Sequence, residues 1–135
     1  VLPMRSPNLQ THKHRDVSGV PLLAGDTLYV PNLMSRLYAR DAKSGALKWE
    51  TPAYTPTEKV PAVNPPPNPS PVMAAGHLIT ARGKGSAGTI VALDPATGKT
   101  LWSAEDPLTH YNTPVRGRAD DGREAVLIGR GGYHD

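Results

Sequence analysis

Two stretches of the chain, SGVPLLAGDTLYVPNLMSRLYARDAKSGALKW (18–49) and SPVMAAGHLITARGKGSAGTIVALDPATGKTLW (70–102), match from end to end. Asp41 and Asp94, Gly45 and Gly98, and Trp49 and Trp102 each lie 53 residues apart. Such a repeat restricts the fold to units that stack, because each unit has chiefly its neighbours to bury against. A third copy begins at TPVRGRADDGREAVLIG, where Thr113, Pro114 and Val115 fall on Ser70, Pro71 and Val72, and it stops before a Trp of its own.

The content of one unit is β-structure. Fifteen Pro and thirteen Gly interrupt the chain too often for a helical apolar period to develop. What recurs are short runs rich in Val, Ile, Leu, Thr and Tyr: GVPLLA, TLYVP, RLYARD and ALKWE, then PVMAA, HLITA, TIVALD and KTLWS, then TPVRG and EAVLIG. These read as strands joined by tight turns, about four to a unit, which is the size and pattern of a propeller blade. A four-stranded sheet cannot bury both faces alone, so each must stack on the next.

The copies differ between units. Trp49 to Pro71 is 22 residues and Trp102 to Pro114 is 12, so TPAYTPTEKVPAVNPPPNPSP is an inserted loop. Eight Pro between Thr51 and Pro71 predict extended or polyproline II backbone. A stiff surface connection is the favoured reading, and a ligand for a proline-recognition domain the other. The expected division is 1–15, a segment from a preceding blade or linker; 16–50, a blade; 51–69, the Pro-rich loop; 70–103, a blade; and 104–135, the truncated start of a third.

In DPATGK, Pro95 suits a type I turn, Asp94 can accept backbone N–H bonds round it, and Gly98 takes a left-handed conformation. In DAKSGA, Asp41, Ser44 and Gly45 serve the same ends. The Trp follows four residues after the Gly on the outer strand, with Ala39 or Ala92 two residues before the Asp. An indole, burying on the order of 200 Å², suits the gap between twisted sheets, and a small Ala leaves it room. The expected role is a docking wedge between blades.

The full pattern, A-x-D-x-x-[ST]-G-x-x-x-W, stands as ARDAKSGALKW (39–49) and ALDPATGKTLW (92–102). Its motif residues are Ala39, Asp41, Ser44, Gly45 and Trp49, then Ala92, Asp94, Thr97, Gly98 and Trp102. It resembles the tryptophan-docking motif of the pyrroloquinoline-quinone (PQQ) repeat family, and the resemblance runs from about Asp16 to Gly132. Kelch blades differ in Asp-to-Trp spacing and double-Gly placement, and WD blades would end in Trp-Asp. The resemblance implies an all-β fold: a partial propeller of about two and a half four-stranded antiparallel blades, from a larger propeller that in this family commonly has eight.

The same resemblance implies two kinds of relative. Some members are alcohol or sugar dehydrogenases that hold PQQ between a Trp and a vicinal disulfide, with calcium on acidic and Asn side chains and an Asp as base. This chain has no Cys and no Trp beyond the two motif positions, so none of those catalytic residues carries over. Others, such as the propeller lipoproteins that assist outer-membrane protein assembly, are non-catalytic. The expectation is a scaffold or protein-binding surface with no catalytic, cofactor-binding or metal residues in this segment, located outside the cytoplasm of a bacterium; PQQ and calcium enter only if the first kind applies.

Other motifs have plainer readings. GKGSAG (83–88) fits G-x-G-x-x-G but precedes a strand rather than a helix, so it reads as a hairpin loop. HRD (14–16) lacks the order and companions of a kinase catalytic loop. His12 and His14, with His110 or His134, are candidate metal ligands but read as solvated, and Asp120-Asp121-Gly122 reads as a turn with too few carboxylates for calcium. The net charge of +3 includes Arg116, Arg118, Arg123 and Arg130, interleaved with Asp120, Asp121 and Glu124. Without an aromatic platform, this argues against nucleic acid. No run approaches the ~18 apolar residues of a membrane span. The expected partners are further blades of the same chain and a protein at the propeller loops; the Val at position 1 and the abrupt end read as a piece of a longer chain.

Overall fold

The computed structural model describes residues 19–31, 36–51, 70–82, 89–105 and 114–128. These hold ten strands and no helix: β1 (Leu22–Ala24), β2 (Thr27–Pro31), β3 (Leu37–Asp41), β4 (Leu47–Glu50), β5 (Val72–Ala74), β6 (His77–Arg82), β7 (Thr89–Leu93), β8 (Thr100–Glu105), β9 (Val115–Arg118) and β10 (Glu124–Leu127). The strands form antiparallel sheets β1-β2-β3-β4 and β5-β6-β7-β8 and a hairpin β9–β10. This is the all-β partial propeller that the repeat predicts, with two complete blades and two strands of a third. The Pro-rich 52–69, GKGSAG, HRD, His12, His14, His110 and His134 lie outside the described residues.

Side chains alternate across each strand, and the two faces of the second blade feed two cores. One holds Tyr29, Leu37, Ala39, Leu78, Val91 and Leu93, with Leu22, Ala24, Trp49 and Met73 packed against it, so it joins the first blade to the second. The other holds Ala74, Ile79 and Ala92, with Val72, Ile90 and Val126 against it, and joins the second blade to the third hairpin. Leu78 and Leu93 are fully buried. Each blade closes its neighbour's open face, as a unit too thin to form its own core requires.

The meander sorts the connections by end. The turns Gly25–Asp26, Ala42–Gly45, Ala75–Gly76, Pro95–Gly98 and Ala119–Arg123 lie on one rim, and the other ends of the strands lie on the opposite rim. On the turn rim the Ala42 N–H donates to the Asp26 carbonyl (2.8 Å), tying adjacent hairpins together. The β1–β2 and β5–β6 hairpins use two-residue primed turns, whose twist matches that of the strands. Gly25 (φ 60°) begins the first, whereas the second places a non-glycine, Ala75, at φ 48° before Gly76 at 75°.

Candidate functional site

The strand β3 ends at Asp41 because its carboxylate redirects the backbone. Asp41 Oδ1 accepts from the N–H of Lys43 (3.1 Å) and of Ser44 (2.8 Å) and from the Ser44 hydroxyl (2.9 Å). The Gly45 N–H donates to the Asp41 carbonyl, and the Asp41 N–H to that of Ala46. The Ser44 N–H above all holds the Asp41 carboxyl below its ordinary range. The second copy repeats the geometry with Asp94: its Oδ1 accepts from Ala96 (2.8 Å), its carbonyl from Thr97 and Gly98, and its N–H donates to Lys99. Gly45 and Gly98 sit at φ 75° and 73°.

Ala39 pairs with Trp49 across the β3–β4 ladder, and Ala92 with Trp102 across β7–β8, each next to a β-bulge. Both alanines are fully buried. Trp49 then crosses to the neighbouring blade. Its Nε1–H donates to the Pro95 carbonyl at 3.0 Å, and the Tyr29 hydroxyl donates to the same oxygen at 3.1 Å. The two rings are 5.8 Å apart and tilted by 45°, within the range of favourable aromatic pairs. A Cβ on Gly98 would lie 2.5 Å from Cε3 of Trp49 and 2.8 Å from Cδ2 and Cζ3, so the indole lies on the bare glycine backbone. The turn therefore needs glycine both for its φ and for this approach.

Trp102 has no such seat among the described residues. It is 44% exposed, and the third sheet shows only its first two strands, so the turn that would correspond to Asp94–Gly98 is not described. The motif residues thus come together at one junction: Trp49 from the first copy with Gly98, beside Asp94 and Thr97, from the second.

Sequence reasoning missed two partners here. Tyr29 is one, and its hydroxyl is pushed up in pKa mainly by burial. The repeat carries no signal for it, since Ile79 occupies the corresponding position. The other is Glu124, which accepts from the Ala75 N–H of the preceding blade and pairs with Arg116 at 2.6 Å. That backbone donor chiefly lowers the Glu124 carboxyl. Near the first hairpin, the Lys48 ammonium bonds Asp26 (2.9 Å) and lowers its carboxyl, and it also donates to the Thr27 hydroxyl (2.8 Å). Asp120 and Asp121 lie in the β9–β10 turn, where Asp121 accepts from the Arg123 backbone and pairs with its side chain.

Among the described residues no group of three or more His, Cys, Asp or Glu side chains could hold a metal ion. No helix among them is long and apolar enough to cross a membrane. What this geometry does is hold blades in register.

A PQQ-repeat family model, described as outer membrane protein assembly factor BamB, matches residues 8–132. The chain belongs to this family. Among solved structures it is similar to a quinohemoprotein alcohol dehydrogenase from Comamonas testosteroni (TM-score 0.53, 19% identity, 74% of this chain and 16% of that one). It is also similar to the quinohemoprotein alcohol dehydrogenase ADHIIG from Pseudomonas putida HK5 (TM-score 0.52, 26% identity, 63% of this chain and 12% of that one). BamB from Moraxella catarrhalis gives a TM-score of 0.49 and 20% identity over 85% of this chain and 34% of that one. The chain therefore spans between 12% and 34% of the length of these structures. No curated protein matches it.

Proposed function

We propose that this chain supplies blades to a non-catalytic PQQ-repeat propeller that works outside the cytoplasm as a scaffold or protein-binding surface. The observation that supports this reading is the junction at Pro95: Asp41, Asp94, Gly45 and Gly98 build turns, and Trp49 fits one blade to the next. The family model points the same way, since its description names an assembly factor. In this reading the loops of the propeller present themselves to a protein partner.

A second reading is favoured by the 26% identity to the Pseudomonas putida dehydrogenase. Under it, these are structural blades of a PQQ- and calcium-dependent alcohol or sugar dehydrogenase whose site is built by residues elsewhere. The test is to titrate the whole encoded polypeptide with PQQ and calcium, desalt it, and record the absorbance spectrum. The scaffold reading expects no retained quinone and no alcohol oxidation with an artificial electron acceptor. Stoichiometric retained quinone would overturn it in favour of the dehydrogenase.

A further inference from the structure

The turn between β9 and β10 contains Asp120-Asp121-Gly122, a motif that the joints between blades do not use. Asp121–Gly122 is the only Asp-Gly pair in the chain, and the chain has no Asn-Gly pair. An aspartyl carboxyl is open to attack by the main-chain nitrogen of the residue after it. Glycine leaves that nitrogen most accessible, because it has no Cβ beside it.

Local structure separates this bond from the other described aspartyl bonds. Asp94 precedes Pro95, whose nitrogen has no proton to lose. Asp26 precedes Thr27, a buried β-branched residue that opens β2, and its carboxylate is held by Lys48. After Asp41, the Ala42 N–H is tied to the Asp26 carbonyl, and the Asp41 carboxylate accepts three bonds. Asp120 precedes Asp121, whose own Cβ crowds the nitrogen.

Gly122, by contrast, sits at φ 84° with nothing within 4 Å of where a Cβ would stand. Its N–H donates to the Ala119 carbonyl (2.8 Å), and the Asp121 carboxylate accepts from the Arg123 backbone N–H (3.1 Å) and Nε (2.6 Å). The Arg123 side chain is 82% exposed, so this is a surface pair that opens readily. Exposure here belongs to the position in the blade, not to an end of the chain. Ala75 and Gly76, in the same place on a blade packed on both faces, are exposed as well.

We infer that Asp121–Gly122 is a site of spontaneous isoaspartate formation in the folded protein. The Gly122 nitrogen bonds to Cγ of the Asp121 carboxyl in its protonated form, and the Cγ hydroxyl leaves with the nitrogen's proton as water, closing a succinimide. Water then adds at either ring carbonyl and breaks its bond to the nitrogen. Opening at Cγ restores aspartate; opening at the main-chain carbonyl leaves the chain running through Cγ. No oxidant or reductant takes part, and the mass is unchanged. The product has one more main-chain atom in the turn that sets Arg118 opposite Glu124, the residue that holds Ala75 of the second blade.

The test is to age the 135-residue chain in neutral buffer, confirm its fold by circular dichroism, digest it, and locate isoaspartate by electron-transfer dissociation mass spectrometry. Isoaspartate should accumulate at position 121 ahead of every other aspartyl position. Gly122→Ala and Gly122→Asn each put a Cβ beside the attacking nitrogen and should lose most of it. Asn accepts the left-handed turn, so the test stands even where the Ala variant fails to fold. Isoaspartate no faster at 121 than at other aspartates overturns the inference, as does formation at 121 only in urea or a rate untouched by both substitutions.

Discussion

Replacing Gly98 with Ala tests the blade junction most directly. Two separate costs arise. The φ of 73° is left-handed, which strains an L side chain by about 1–2 kcal/mol. The new methyl would also sit 2.5–2.8 Å from three atoms of the Trp49 ring, which is not a flexible chain end but a plate held by Tyr29 and by the Pro95 carbonyl. Moving it costs about 1–3 kcal/mol of misfit and about 0.5–1.5 kcal/mol for the loosened Nε1–H bond. The sum is about 2.5–6.5 kcal/mol, against the roughly 5–15 kcal/mol that holds a domain folded.

Gly76 is the internal control, with φ 75° and nothing within 4 Å of a Cβ, so Gly76→Ala should show the backbone cost of about 1–2 kcal/mol alone. The assay is urea unfolding at fixed protein concentration, followed by far-ultraviolet circular dichroism, which reads the strands whether or not Trp49 is present. A double-mutant cycle completes it: once Trp49→Ala removes the ring, the cost of Gly98→Ala should fall to that of Gly76→Ala. Equal urea midpoints for the two glycine variants, or no coupling between positions 49 and 98, would refute the argument that the indole rests on glycine backbone.

Other consequences follow from the same contacts. Tyr29→Phe removes one of two donors to the Pro95 carbonyl and should cost about 0.5–1.5 kcal/mol in chemical denaturation, with the Trp49 bond retained. Asp26, Asp41 and Glu124 are all lowered in the folded state, so the stability they contribute is present above about pH 4 and lost as pH falls through their folded values. Melting temperature should drop in that acid window, and less steeply in Asp41→Asn. Tyr29 is raised, so its contribution is present below about pH 10 and lost as pH climbs through its folded value, a loss that Tyr29→Phe should abolish. Ala75→Asn makes an Asn-Gly turn that accepts the φ of 48° and should raise stability by about 0.5–1 kcal/mol, read as a higher melting temperature.

The fold was legible because its signals are local and repeated. Alternating apolar runs such as TIVALD and punctuation such as DPATGK mark strands and turns, and copying at a constant interval marks stacking. The junction was legible only in part. Spacing singles out Trp49 and Gly98, but the acceptor between them is a backbone carbonyl, which leaves no trace in residue type. Tyr29 looks like any strand aromatic until its hydroxyl is seen reaching 66 positions along the chain. Ala75 occupies a left-handed position that the sequence disguises, because the alanine stands where the first copy has Gly25, and its partner Glu124 comes from another blade.

The turn rim implies that insertions and deletions meet very different fates within the turns and between the copies. A residue added between Asp94 and Gly98 would carry the Pro95 oxygen away from two donors and misplace the glycine beneath the indole, so those turns can change composition more easily than length. Between copies the length does vary, 22 residues from Trp49 to Pro71 against 12 from Trp102 to Pro114. New loops, tags or grafted binding segments therefore belong between copies rather than in the turns that seat the indole.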